Sequence, residues 1–141
     1  MAMPCRVVNA LTDSQITDLC RLYEGEWWTQ GRTAEQTREM LDNSSVVVGL
    51  VDDGDRLVAF CRVLTDFVFR GTLYDVIVDE KHRGEGLGRQ LMQAVTDDPR
   101  LARVSKISLA CKPDKPAFYG LFGYEAFEDD LVWMVRRQRS G

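Results

Sequence analysis

The sequence predicts an α/β domain: a mixed, mostly antiparallel central sheet flanked by helices on both faces. Three observations lead there. Two T-x-x-Q capping signals, at Thr12–Gln15 and Thr33–Gln36, open helices early in the chain. Apolar, β-branched runs follow at 45–52, 56–65 and 72–79. A glycine cluster at Gly84, Gly86 and Gly88 then leads into an amphipathic helix. The element order reads β-αα-βββ-α-β-α-ββ, with no repeat, low-complexity tract or linker, so one domain over residues 1–141 is expected.

Residues 5–9 read as a short strand. After Thr12, the residues Ile16, Leu19, Cys20 and Tyr23 recur at helical spacing, and after Thr33 a second helix runs to about Leu41. The connector, Glu24 to Arg32, mixes acids, glycines and Trp27-Trp28. Asp53-Gly54 turns the chain between 45–52 and 56–65, giving a hairpin. Leu73–Val78 is apolar on both alternating faces except at Asp75, which predicts a central strand covered on both sides. Leu87, Leu91, Met92 and Val95 face inward from the next helix, which Asp98-Pro99 stops. A strand over 104–111, a short helix over 115–122 ended by Gly123, and strands at 124–127 and 130–136 complete the chain, with Trp133 in the core or an interface.

With 45% hydrophobic and 28% charged residues, the composition is that of a globule and excludes a disordered, collagen-like or coiled-coil chain. No apolar run approaches the ~20 residues of a membrane helix. No basic-then-apolar leader follows Met1, so a cytoplasmic location without a membrane partner is expected. A formal charge of −4 argues against nucleic acid as a partner. Cys5, Cys20, Cys61 and Cys111 are widely spaced among apolar neighbours, as buried thiols are. One histidine, His82, leaves no His-rich metal site and little room for Ser-His or Cys-His catalysis, so no metal is expected.

Arg83-Gly84-Glu85-Gly86-Leu87-Gly88-Arg89 joins a buried strand to a helix. Glycines allow close backbone approach, and the free N–H groups of a helix start favour phosphate. Arg83 and Arg89 add charge. The dinucleotide fingerprint G-x-G-x-x-G fails, since position 89 is arginine, and no G-K-[ST] follows. By itself the cluster also fits a tight turn that holds no ligand.

Val78 to Met92 resembles the coenzyme A signature of the GNAT superfamily of N-acetyltransferases, whose core [RQ]-x-x-G-x-[GA] fits Arg83, Gly86 and Gly88. Ala117-Phe118-Tyr119-Gly120-Leu121-Phe122-Gly123-Tyr124 is similar to the family's second signature, at the expected distance. Glu80 stands where many members carry proline, and Asp114 where many carry asparagine. The resemblance covers about 45–127 and implies a GNAT-like fold and direct transfer of acetyl from acetyl-CoA, as co-substrate, to a primary amine, a small molecule being expected. It implies cofactor contacts from Val76, Ile77, Val78, Arg83, Gly84, Glu85, Gly86, Leu87, Gly88, Arg89, Asp114, Phe118 and Tyr119. It also gives Tyr119 the role of acid to the leaving thiolate, and a backbone N–H near Val76–Val78 that of oxyanion donor.

The base stays open. Asp75 is the polar residue of an apolar strand, and burial raises a carboxyl toward proton transfer. Strand alternation, however, points it away from Tyr74 and Val76, toward a structural or ion-pair role. Glu24 and Glu26 are the other candidates; Glu26, Trp27, Trp28 and Tyr74 form the expected acceptor contacts, the indoles adding cation–π attraction. The competing reading of that loop is tryptophans packed on the core beside solvated acids. His82 reads as a loop residue near phosphate. A monomer or homodimer is expected. The alternative function is a coenzyme A-binding regulatory module that transfers nothing.

Overall fold

A computed structural model describes residues 5–127 and 130–138. The chain forms two compact units, residues 1–111 and 112–141. In the first, β1 (Arg6–Val8) precedes α1 (Asp13–Glu24) and α2 (Ala34–Asp42). Both helices begin where expected: Thr12 and Thr33 accept from the backbone of Gln15 and Gln36, whose side chains accept from the capping residues' own N–H groups. Next come β2 (Val46–Val51), β3 (Leu57–Thr65), β4 (Arg70–Val78), α3 (Leu87–Asp97) and β5 (Lys106–Ser108).

The strands lie in sequence order, β1 to β5. The first three pairings are antiparallel and β4–β5 is parallel, so the mixed, mostly antiparallel sheet of the sequence reading is present. Leu19, Leu22 and Tyr23 of α1 pack with Val47, Val51, Phe60 and Ile77. The alternate β2 residues Val46, Val48 and Leu50 are equally buried. Their face is covered by α3, which packs on β2, β3 and β4 with Leu87, Leu91, Met92 and Val95 buried.

Three expectations need correction. First, β4 is not covered on both sides: Leu73, Asp75 and Ile77 are buried, but Tyr74 is exposed and Val76 and Val78 are half-buried. Second, the strand expected over 104–111 is only Lys106–Ser108. A bulge in β4 explains the shortening. The β3 register steps from Phe60↔Ile77 to Arg62↔Tyr74, leaving Asp75 and Val76 opposite Cys61, and Asp75 has φ +58°. Such a bulge bends and twists its strand, here just beyond the last residue paired with β5. Third, no strand forms among the described residues of 124–127 and 130–136. Leu131 to Val135 is instead exposed, Trp133 included. Strand propensity needs a ladder partner, and the described residues offer this segment none. Of the cysteines only Cys61 is fully buried; Cys111 is exposed.

The second unit holds α4 (Pro116–Gly120), shorter than the expected 115–122. Its aromatic rings pack edge to face: Phe118 with Tyr119 at 5.0 Å, Phe118 with Phe122 at 5.7 Å, and Tyr119 with Tyr124 at 6.2 Å. Among the described residues no helix is long and apolar enough to cross a membrane.

Candidate active site

The glycine turn is built on Asp79. Its Oδ1 accepts from the Lys81 N–H at 3.1 Å and its Oδ2 pairs with Arg21 at 3.3 Å. Burial alone would raise this carboxyl, but the Lys81 N–H and Arg21 together hold it below the usual carboxylate range. His82 lies in a 3-10 turn, Glu80–His82, with Nδ1 3.0 Å from Glu85. Gly84 and Gly86 have φ of +85° and +79°, a region that strains any residue with a Cβ. The space a Cβ would occupy at either is open. Gly86 is the N-cap of α3 and has no side chain to cap it. The first N–H groups of α3, with the positive end of its dipole, therefore face that open space. Arg83 and Arg89 are exposed beside it. Leu87 contributes only backbone there, its side chain being in the core.

The second feature is an open strand edge. β5 pairs with β4 only over Arg70–Thr72, and among the described residues nothing pairs with Leu73–Val78 on that side. The Asp79 N–H donates to the Val58 carbonyl of β3 at 2.8 Å. Antiparallel ladders alternate, so Ile77 also turns its backbone to β3, while Val76 and Val78 turn N–H and C=O to the open edge. Of the three residues expected to meet the cofactor arm, two are thus directed outward, whereas Ile77 is committed to the sheet and the core.

Asp75 lies in the β4 bulge, where strict alternation breaks, and its side chain is buried. Its Oδ2 accepts from Tyr23 Oη at 3.0 Å, Arg32 Nη1 at 2.9 Å and Arg62 Nε at 2.8 Å. Burial pushes its carboxyl up, but the hydrogen bonds and charges of Arg62 and Arg32 outweigh it and hold the group below the usual carboxylate range. The expectation of a raised, base-like carboxyl is therefore reversed. Burial and the Asp75 charge push the Tyr23 hydroxyl up, and the same two causes raise the Cys61 thiol, so both stay protonated. The guanidinium of Arg32 lies 4.6 Å from the Tyr23 ring centre, and that of Arg62 lies 5.1 Å from the ring of Tyr74.

The aromatic–acidic connector between α1 and α2 is tied down from within. Thr29, buried, donates its hydroxyl to the Tyr23 carbonyl at 2.7 Å, and Glu24 accepts from the Gly31 N–H at 3.1 Å. Glu26 reaches the glycine turn, where it pairs with Arg83 at 2.9 Å. Trp27 is 75% exposed and does not pack the loop onto the core, whereas Trp28 is mostly covered, at 38% exposed. Asp114, Phe118 and Tyr119 belong to the second unit, where Asp114 is exposed and Tyr119 half-buried among the α4 rings.

Sequence reasoning missed Arg32, Arg62 and Tyr23. Arg62 did leave a signal: it is the one charged residue within β3, on the strand that neighbours Asp75. Two opposite charges in adjacent apolar strands of a hairpin are an ion-pair signature. Arg32 left none, since nothing local marks a loop arginine as inward-facing.

Comparison with known proteins agrees with this geometry. The model of the Acetyltransferase (GNAT) family matches residues 14–124. An uncharacterized N-acetyltransferase, ycf52, of Porphyra purpurea is 31% identical over 120 residues, covering 83% of this chain and 68% of that protein. The chloroplastic serotonin N-acetyltransferase 2 of Oryza sativa subsp. japonica is 37% identical over 113 residues, covering 77% of this chain but only 56% of the rice protein. A GNAT-family structure from Xanthomonas campestris pv. campestris superposes with a TM-score of 0.84 at 29% identity, covering 97% of this chain and 96% of that one. YhbS of Escherichia coli, solved in complex with CoA, shares the fold at a TM-score of 0.70 and 18% identity, covering 89% of this chain and 71% of that one. An uncapped glycine turn beside an opened central strand, matched through most of the chain by relatives of one kind, makes this protein a member of the GNAT acetyltransferase family.

Proposed function

We propose that this chain transfers the acetyl group of acetyl-CoA to the primary amine of a small molecule, and that residues 1–141 act as one GNAT-like domain. The observation that carries the reading is the continuity of two unsatisfied backbone surfaces: the edge of β4 at Val76–Val78 and the bare N-terminus of α3 at Gly86. Acetyl-CoA supplies an activated acetyl as a thioester. The residues present fit its two demands: open space and free N–H groups at Gly84–Gly88 suit a diphosphate, and an unpaired strand edge suits an extended amide-bearing arm.

In this reading Arg83 and Arg89 add charge to the diphosphate site, and Arg83 exchanges Glu26 for it. The Val76 or Val78 N–H donates to the oxygen that gains charge. The Tyr119 hydroxyl hydrogen-bonds the departing thiolate, which takes up the proton that the attacking amine releases. A phenol near ~10 and a thiol near ~8.5 make a tightening hydrogen bond sufficient. Asp75, whose Oδ2 is held by three donors, positions rather than catalyses; Glu26, Trp27, Trp28 and Tyr74 face the acceptor. The rice relative's name carries serotonin, but this chain spans 56% of that protein and its own amine is a separate question.

The test is release of coenzyme A thiol from acetyl-CoA over a broad amine panel. Amine-dependent release supports the proposal. Tight acetyl-CoA binding with no release on any amine would favour the non-catalytic module.

A further inference from the structure

One cavity of about 500 Å³ lies between α2, the connector residue Arg32 and Arg62 of β3. Its α2 wall is Gln36, Thr37, Glu39, Met40 and Asn43, at i, i+1, i+3, i+4 and i+7, so one side of the helix faces it. A stripe turned toward the body of a domain is ordinarily apolar. Four of these five residues are polar, which suits a wet binding surface and not a packing face.

The charge at its floor is unbalanced. Arg32 and Arg62 both bond the same oxygen, Oδ2 of Asp75, so two guanidiniums share one carboxylate. Their side chains are only 31% and 14% exposed. Among the described residues neither has a second carboxylate partner, and both retain further N–H donors. Glu39, on the opposing wall, is exposed. The lining thus carries two cations, both largely buried, and one exposed anion. Arg62 is register partner to Tyr74, two residues before Val76 on the open edge of β4, so the cavity lies on the strand next to that edge.

We propose that this cavity holds the negatively charged end of the acceptor, and hence that the preferred substrate is an amine carrying a carboxylate, an amino acid. The substrate assignment rests on the transferase reading above; binding of the anion does not. One surplus cation at the floor matches one negative charge, and the planar fork of Arg32 or Arg62 matches a carboxylate's two oxygens. Glu39 at the rim opposes the second charge of a phosphate.

The experiment uses the full chain with acetyl-CoA and matched amines: amino acids against their carboxamides, and phosphoethanolamine against ethanolamine, read by thiol release. Acids are expected to exceed their amides at least ~10-fold in kcat/KM, since charge-assisted hydrogen bonds are at stake. Arg32→Gln is expected to raise KM for the amino acid ~10- to 100-fold, leave KM for acetyl-CoA unchanged and abolish the preference over the amide. Equal rates on acids and amides, or an Arg32→Gln effect identical on both, overturns the proposal; preference for the phosphorylated amine overturns the carboxylate. Calorimetry of the same amino acids and of their unreactive N-acetyl forms, on wild type and Arg32→Gln, separates the two claims. Arg32-dependent carboxylate binding without thiol release keeps the cavity and refutes transfer. Thiol release on neutral amines with no carboxylate binding keeps transfer and refutes the cavity.

Discussion

Three helices of the first unit begin in contrasting ways. The N-termini of α1 and α2 are closed by reciprocal Thr–Gln capping boxes, and the connector between these helices is tied by Thr29 and Glu24. The N-terminus of α3 begins at a left-handed glycine with no cap at all. The strands show the same contrast: β3 is hydrogen-bonded along both edges, while β4 loses its β5 partner after Thr72. A protein satisfies its polar backbone wherever only folding is at stake. The groups left open together lie on one turn and one strand edge, the two places where the proposed function seats acetyl-CoA.

The largest way to break this contrast lies at its closed side. Asp75→Ala removes the shared partner of two partly buried arginines and is expected to cost about 3–5 kcal/mol, measured by urea unfolding. Its pH dependence has a definite sign. The folded carboxyl lies below its unfolded value, near ~3.9, so its contribution is complete above that value and is lost as pH falls through the folded one. Asp79 shifts in the same direction. Wild type should lose stability steeply below about pH 4, and Asp75→Ala should lack part of that slope.

At the open side, Gly86→Glu puts bulk and negative charge into the cradle at φ +79°. Acetyl-CoA affinity by calorimetry should fall at least ~100-fold while the far-ultraviolet dichroism stays native; the strain itself is about 1–2 kcal/mol. Unchanged affinity would remove the turn from the binding site. Tyr119→Phe should lower kcat roughly 10-fold or more, within the range of acid–base contributions, with little change in acetyl-CoA affinity. An unaltered rate with chemistry limiting would end the role given to Tyr119. The smallest effect is the control: Thr33→Ala opens a closed cap, costing about 1 kcal/mol of stability without altering acetyl-CoA affinity. If it weakened acetyl-CoA as Gly86→Glu does, the contrast between the two helix starts would be void.

Much of this was legible before any coordinates. The capping boxes, the hairpin about Asp53-Gly54, the inward face of α3 and the glycine turn are each written within a few neighbouring residues. The final strands were misread for the complementary reason. Leu131–Val135 has strand composition, but a strand exists only with a partner, and no local pattern supplies one. Asp75 is visible as an anomaly, and the ion-pair role that the sequence suggests for it is present, whereas the raised carboxyl that burial alone would give is not. Burial was readable from the strand; the two arginines that reverse its effect were not.

By itself the sequence determined where helices start, where the chain turns, and that one glycine-rich segment could approach a phosphate closely. These depend on φ, capping and periodicity over a handful of residues. Only the tertiary structure decided that β4 parts from β5 after Thr72, that Glu26 meets Arg83, and that Tyr23, Arg32 and Arg62 converge on one oxygen of Asp75. Charge balance and strand pairing join groups up to 58 residues apart, so their outcome appears only when the chain has folded.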